Sequence, residues 1–377
     1  MNRAAIILLT VFMSFTCCKK EEKRIEIVNE KAPVAIIGSD AENKGVVGVY
    51  KGVKYYYVGR KSILIGDIVE RKIDAYDMKG NYLHSIGRAG QGPGEFEAIA
   101  PFAINTQEVL YATTAKKKIM IFEPNGELKK EIPFPAQFKD KFAENIKIDS
   151  RNNVYILFSS AEYGLELVKF NEELGKYSVI HSDRKRSLPE STAAARIPVP
   201  SLDFAMDEKG NLYVTDTIDY RIYCYNSEGT KSRVYEGNKK RNKIKRRDLV
   251  INLDGNIMDL SKLDKNIWQN LKGNSRYLPM VFGIDIDEPF IYLWTSEQDE
   301  ESRFIIDIYD MNFRKVGYSS FYDYLPSNCA TIRNGKLFIP NLFSDDSSLK
   351  QKVGRFAALE MPYKLYIYDI VFNKSVT

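Results

Sequence analysis

Residues 201–236 read SLDFAMDEKGNLYVTDTIDYRIYCYNSEGTKSRVYE, and this stretch decides the fold. It holds four short runs, at 202–206, 212–215, 221–225 and 231–235. The first three alternate apolar with polar side chains or are rich in β-branched and aromatic ones, which is the period-2 signature of strands. Asp207-Glu208-Lys209-Gly210-Asn211 separates the first pair and Asn226-Ser227-Glu228-Gly229 the last. Both set Gly beside Asn or Asp, as tight hairpin turns require. The stretch therefore predicts a four-stranded antiparallel meander of the length of one propeller blade.

Working outward, degenerate copies of this unit fill the chain. A first covers 46–60, 61–67, 72–76 and 82–86, and a second 102–105, 109–113, 119–122 and 128–132. A third covers 145–149, 154–158, 165–170 and 177–181. The opening stretch is the fourth. A fifth covers 282–286, 291–295, 304–309 and 315–319, and a sixth 330–333, 336–340 and 364–370. An apolar–Tyr or apolar–Phe pair recurs in the second strand, as in Leu110-Tyr111, Val154-Tyr155 and Leu212-Tyr213. An aromatic followed by Asp, Asn or Glu ends the third, as in Tyr76-Asp77, Phe170-Asn171 and Tyr309-Asp310. Six such endings predict an all-β, six-bladed β-propeller occupying residues 32–377.

Residues 237–279 break the pattern between blades four and five. They open with a basic run at 239–247, and Leu260, Leu263, Ile267 and Leu271 then recur at helical spacing, predicting a short amphipathic helical insertion. The basic run has the charge to meet phosphate or lipid headgroups. With no aromatics interleaved for stacking, it reads more simply as a solvated loop.

The sixth unit lacks room for a fourth strand, while residues 24–29 (RIEIVN) form a lone alternating run ahead of blade one. An unpaired sheet edge is a liability. Residues 24–29, at the end of a tether spanning 19–31, are therefore expected to complete the sixth blade and close the ring.

Composition sets the limits on function. The net charge of +5, from 55 basic and 50 acidic residues, is no argument for nucleic acid. His84 and His181 are the only histidines, which excludes a histidine-rich metal site. No HExxH, P-loop or Gly-x-Ser-x-Gly elbow is present. The acidic loops 299–301 and 345–346 are either solvated or cation ligands.

At the start of the chain, Arg3 precedes an apolar run at 4–15, too short for the ~20 residues of a spanning helix. It ends at Thr16-Cys17-Cys18, followed by a charged segment. This resembles a bacterial lipoprotein signal with Cys18 as the lipidated residue, the alternatives being a plain secretory signal or an uncleaved anchor. The resemblance implies export and a lipid anchor in the cell envelope, at the outer membrane. Cys224 and Cys329 would then remain, as buried thiols or a disulfide pair.

Asp207-x-x-Gly210-Asn211-x-Tyr213-Val214-x-Asp216, with Arg221-Ile222 and Gly229, resembles the NHL repeat of six-bladed propellers. Gly90-x-Gly92-Pro93-Gly94-Glu95-Phe96 resembles the connector between such repeats, and Phe96 is expected to anchor it as an ordered loop. Together with the lipoprotein signal, these features resemble the six-bladed propeller lipoproteins of Gram-negative envelopes. That resemblance implies a monomeric scaffold that binds a glycan, a peptide or a partner protein and needs no cofactor. Some six-bladed propellers are instead calcium-dependent enzymes with carboxylates in the channel, so a calcium-dependent hydrolase or lyase is the second reading.

In a propeller the long loops at 87–96, 159–164, 182–200, 217–220, 296–302 and 342–362 share one face. The candidate ligand-binding residues on it are Arg88, Gln91, Tyr163, Arg196, Asp219, Tyr220 and Arg355, chosen mainly as Arg and Tyr side chains able to anchor a polar ligand.

Overall fold

The computed structural model describes residues 33–38, 53–115, 117–160, 164–171, 173, 175–183, 202–216, 220–237, 250–253, 256–259, 281–298, 304–321, 330–341 and 364–370. These residues form six four-stranded antiparallel sheets. After β1 (Ala35–Gly38), blade 1 is β2–β5 (Val53–Val58, Ser62–Asp67, Lys72–Asp77, Tyr82–Ile86). Two short strands, β6 (Arg88–Ala89) and β7 (Glu95–Phe96), lie in the connector to blade 2. Blade 2 is β8–β11 (Ile99–Ile104, Leu110–Thr114, Lys118–Phe122, Leu128–Pro133). Blade 3 is β12–β15 (Phe142–Ile148, Val154–Ser160, Gly164–Phe170, Tyr177–Asp183). Blade 4 is β16–β19 (Leu202–Met206, Leu212–Asp216, Arg221–Tyr225, Lys231–Glu236). A separate hairpin, β20 (Val250–Leu253) and β21 (Asn256–Asp259), precedes blade 5, which is β22–β25 (Val281–Asp287, Phe290–Gln298, Phe304–Asp310, Lys315–Phe321). Blade 6 takes β26–β28 (Thr331–Arg333, Lys336–Asn341, Lys364–Asp369) and borrows β1.

The hairpins form where side-chain oxygens replace lost ladder bonds. Asp207 Oδ1 accepts the Asn211 N–H (2.8 Å), its Oδ2 accepts Asn211 Nδ2 (2.8 Å), and the Tyr213 hydroxyl adds a third bond (3.2 Å). Asp149, Asn153 and Tyr155 repeat this arrangement in blade 3. Asp77 and Asp310 cap third-to-fourth turns in the same way. This is the Asx chemistry that makes Asp and Asn turn residues.

The core lies between the blades. Each of the six interfaces holds its own apolar cluster, such as Phe96, Phe102 and Phe122 between blades 1 and 2, or Trp294, Ile308 and Ile332 between blades 5 and 6. The cluster between blades 6 and 1 contains Ile37 of β1.

Closure is made by β1 and not by residues 24–29. Ala35–Gly38 pairs antiparallel with β28, with Ile37 opposite Leu365, and the Val34 N–H adds a bond to Ile367 O (2.8 Å). The run AIIG wins this place because Ile37 fits the cluster between the first and last blades. Residues 24–29 lie outside the described residues, and the strand position expected for them is filled. Apart from Gly237, the described part of 237–279 is the β20–β21 hairpin. Leu260, Leu263, Ile267 and Leu271, like the basic run, lie outside the described residues.

Candidate binding site in the central channel

The first strand of every blade is innermost, so β2, β8, β12, β16, β22 and β26 surround the channel. Each runs from the loop face to the hairpin face. On blades 3 to 5 three of these strands carry charge where neighbouring blades meet: Lys147 on β12, Asp203 on β16 and Asp285 on β22. All three are half-buried.

Asn145 Nδ2 donates to Asp203 Oδ1 (3.0 Å), and the Ile284 N–H of the next blade donates to Asp203 Oδ2 (3.1 Å). Asp285 repeats the device one blade on. Its Oδ2 accepts the Ile332 N–H (3.1 Å) and Trp294 Nε1–H (2.9 Å). Gly283 permits the first contact, since a Cβ there would stand 3.1 Å from Asp203 Oδ2. Each carboxylate thus staples its blade to the next blade's inner strand.

Burial pushes the Asp203 carboxyl above its usual range, against the opposing charge of Lys147. Burial likewise pushes Asp285 up to about 6, with Lys147 and the Trp294 bond opposing the rise. The wall therefore offers donors, acceptors and a carboxylic acid that titrates near neutrality.

The channel is bridged on the hairpin side. Arg60 of blade 1 reaches Glu208 of blade 4 (3.0 Å), and these blades stand opposite each other in a six-membered ring. Around this bridge the hairpins interlock. Asn105 Nδ2 donates to Asn152 Oδ1 (2.8 Å), the Glu208 N–H to Glu288 (3.0 Å), the Asn334 and Gly335 N–H groups to Asp287 (2.7 Å each), and Asn334 Nδ2 to Gly59 O (3.0 Å).

At the loop-face end four inner strands carry a β-bulge, between Val53/Tyr55, Ile99/Phe102, Ala143/Asn145 and Val281/Gly283. Bulges re-aim side chains and are frequent beside binding sites.

The residues expected from sequence are placed as follows. Arg88 is exposed, and its Nε donates to Glu95 Oε1 (2.7 Å). The Gly92 N–H and the Arg88 guanidinium together hold the Glu95 carboxyl below its usual range. This clasp, with the buried Phe96 ring 5.9 Å from Phe122, orders the connector as expected. Gln91 is exposed at the tip of the same loop.

Tyr220 is a correction. It is 2% exposed, its hydroxyl donates to Asp307 and lies 2.8 Å from the Tyr309 hydroxyl, and Asp307 pairs with Lys315 (3.1 Å). The ring expected on the exposed loop face is thus enclosed between blades 4 and 5, where it joins them. Tyr163, Arg196, Asp219, Arg355, Cys18, Cys329 and the two acidic loops lie outside the described residues. Cys224 is a free, buried thiol. His84 and His181 sit on the outer strands of blades 1 and 3, and His181 Nδ1 bonds the Tyr225 hydroxyl (2.7 Å), so the two histidines share no site.

The sequence alone does not single out Lys147, Asp203 and Asp285. Each looks like an ordinary polar position in a half-solvated strand. The signal was available, because a first strand is covered on both faces and a charge in it needs a partner.

A family model described as DUF5128, 6-bladed beta-propeller, matches residues 47–247, more than half of the chain. The chain belongs to the DUF5128 family of six-bladed β-propellers. A DUF4221-family protein from Bacteroides vulgatus resembles this DUF5128 propeller with a TM-score of 0.58 at 11% identity, over 94% of this chain and 99% of that one. An exported protein from Bacteroides fragilis gives 0.46 at 13%, over 91% and 98%, and the calcium-binding protein regucalcin from Agrobacterium tumefaciens 0.47 at 10%, over 86% and 92%. Identities this low show the fold alone. The comparison with curated proteins returned no match.

Among the described residues of this DUF5128 propeller, no three His, Cys, Asp or Glu side chains gather as metal ligands. The two channel carboxylates feel the charge of Lys147, and a calcium ion needs six to eight oxygens.

Proposed function

We propose that this DUF5128 propeller is a binding protein, exported and held in the envelope by a lipid on Cys18. It takes a polar ligand (a glycan, a peptide or a segment of a partner protein) into its channel from the loop face. One observation carries the reading. The channel wall presents Asn145, Asp203 and Asp285, half-buried and already positioned by blade-to-blade bonds, with the Lys147 ammonium 5.7 Å from the Phe204 ring of the next blade, above a floor bridged by Arg60 and Glu208. Polar groups fixed before binding reduce the cost of ordering them on binding.

A calorimetric screen of soluble glycans and peptides tests it, with Lys147→Met as the comparison. Ligands bound by the native chain lose affinity on the order of tenfold in the variant, as expected for one charged contact. Equal affinity for both proteins would remove the channel from the reading.

The raised Asp285 favours a second reading, a hydrolase or lyase using this carboxyl as its acid or base. Turnover of a bound glycan or peptide, with a rate following one ionisation near pH 6 and lost in Asp285→Asn, would favour it over simple binding.

A further inference from the structure

Phe142 opens β12, at the loop-face end of blade 3's innermost strand. It is 64% exposed, the highest value among the large hydrophobic side chains described. The others on outer strands, such as Leu83 and Val179, lie on the rim, whereas Phe142 stands at the channel mouth.

The ring is held rather than loose. Its backbone is fixed by pairing with Ser159, and the bulge after Ala143 leaves Glu144 as the extra residue beside it. The Lys117 ammonium lies 4.0 Å from the ring centroid and is pinned by its bond to Lys141 O (2.7 Å). Lys141 is itself paired with the buried Glu166 and lies over the Phe138 ring. One face of Phe142 is therefore clamped by a cation, leaving the exposed remainder of the ring to a ligand.

The surroundings describe what fits there. Ser159 Oγ donates to Glu144 Oε1, and both residues pair or neighbour Phe142 on the same two strands. Charges of both signs lie together here: Lys141 pairs with Glu166, and the negative charge of Asp140 acts on Lys117. A balanced patch gains little from an ionic ligand. An apolar plate rimmed by hydroxyl, carboxylate and ammonium suits a molecule with a C–H face and hydroxyls along its edges, and a pyranose ring has that shape.

We propose that Phe142 is the stacking platform of a saccharide site, and that a neutral oligosaccharide is the ligand class this channel mouth takes. The inference rests on the binding reading above and narrows it. One sugar ring lies on the open face of Phe142, opposite Lys117, its edge hydroxyls meet Glu144 and Ser159, and the next unit points toward Asn145 and Lys147.

The test uses the full chain and a panel of neutral disaccharides: maltose, cellobiose, xylobiose, mannobiose and diacetylchitobiose. Saturation-transfer NMR and calorimetry are run on the native protein, Phe142→Ala, Phe142→Trp and Lys147→Met. At least one sugar binds, with transfer concentrated on the C–H protons of one ring face. Phe142→Ala weakens binding on the order of tenfold, the size of a lost aromatic stack, and Phe142→Trp retains it. An unchanged melting temperature shows that the exposed ring was not supporting the fold. No binding across the panel, or equal binding by Phe142→Ala, overturns the proposal. If peptides bind instead, sensitive to Lys147→Met but not to Phe142→Ala, the channel reading stands and the saccharide falls. If neither substitution affects any bound ligand, both fall.

Discussion

Replacing Asp285 by Asn asks whether a buried channel acid stores a pH-dependent strain. The asparagine oxygen can still accept the Trp294 and Ile332 N–H bonds, so the staple to blade 6 survives while the ionisation is removed. In the folded chain the carboxyl titrates near 6, against an ordinary 3.8. Between those values the folded protein holds a proton that the unfolded chain has released. Its stability therefore falls as pH rises through this window and levels off above it. A shift of about two units, at 1.36 kcal/mol each, gives up to about 3 kcal/mol. Asp203 is raised by the same cause and acts with the same sign, but it remains in both proteins and largely cancels in their difference. Urea unfolding in half-unit steps from pH 4 to 7.5, followed by circular dichroism, measures that difference. Relative to the variant, the native chain should lose a few kcal/mol by pH 7. A difference that stays flat across the window, within about 0.5 kcal/mol, refutes the burial argument for Asp285.

Two further outcomes follow from the chain's beginning. Ile37→Asp puts a charge into the cluster between blades 6 and 1; it should lower the melting temperature by several degrees or more and promote association through the freed β28 edge. Calorimetry and light scattering check this, and an unchanged melting point would show that β1 does not hold the ring. Cys18→Ser should move the protein from the membrane to the soluble fraction on ultracentrifugation, because acyl chains supply the affinity at ~0.8 kcal/mol per buried CH₂. Retention by the membrane in Cys18→Ser, with release in Cys17→Ser, would assign the lipid to the other cysteine.

The blades were legible because two local signals agree. Strand alternation placed β16–β19, and the Asp207–Asn211–Tyr213 spacing placed the hairpin whose bonds the structure shows. Closure was legible as a need but not as a segment. Residues 24–29 alternate and look like a half-buried strand, while Ala35–Gly38 is a short apolar run whose partner lies at the far end of the chain. The site was less legible still. Alternation tells which side of a strand a residue takes, not which blade it faces. Asp203 and Asp285 thus looked like solvent positions. Tyr220 has the side chain of a ligand anchor, yet its hydroxyl serves Asp307 across a blade interface, 87 residues away in the chain. Phe142 lies three residues before the point where the periodic pattern of blade 3 becomes readable.

The direction of β1 also orients the molecule. Ala35 pairs with Ile367 and Gly38 with Lys364, so β1 runs from the hairpin face toward the loop face. Gly80, in a blade 1 hairpin turn, packs against Ala35 and Ile37, placing the strand's start on the hairpin side. The chain preceding β1 therefore departs from the rim of blade 6 on the side bridged by Arg60 and Glu208. On the proposed anchor, residues 19–34 reach at most roughly 55 Å from the lipid. A lipid on Cys18 would then tether the propeller from its hairpin side, with the mouth carrying Phe142 on the opposite face.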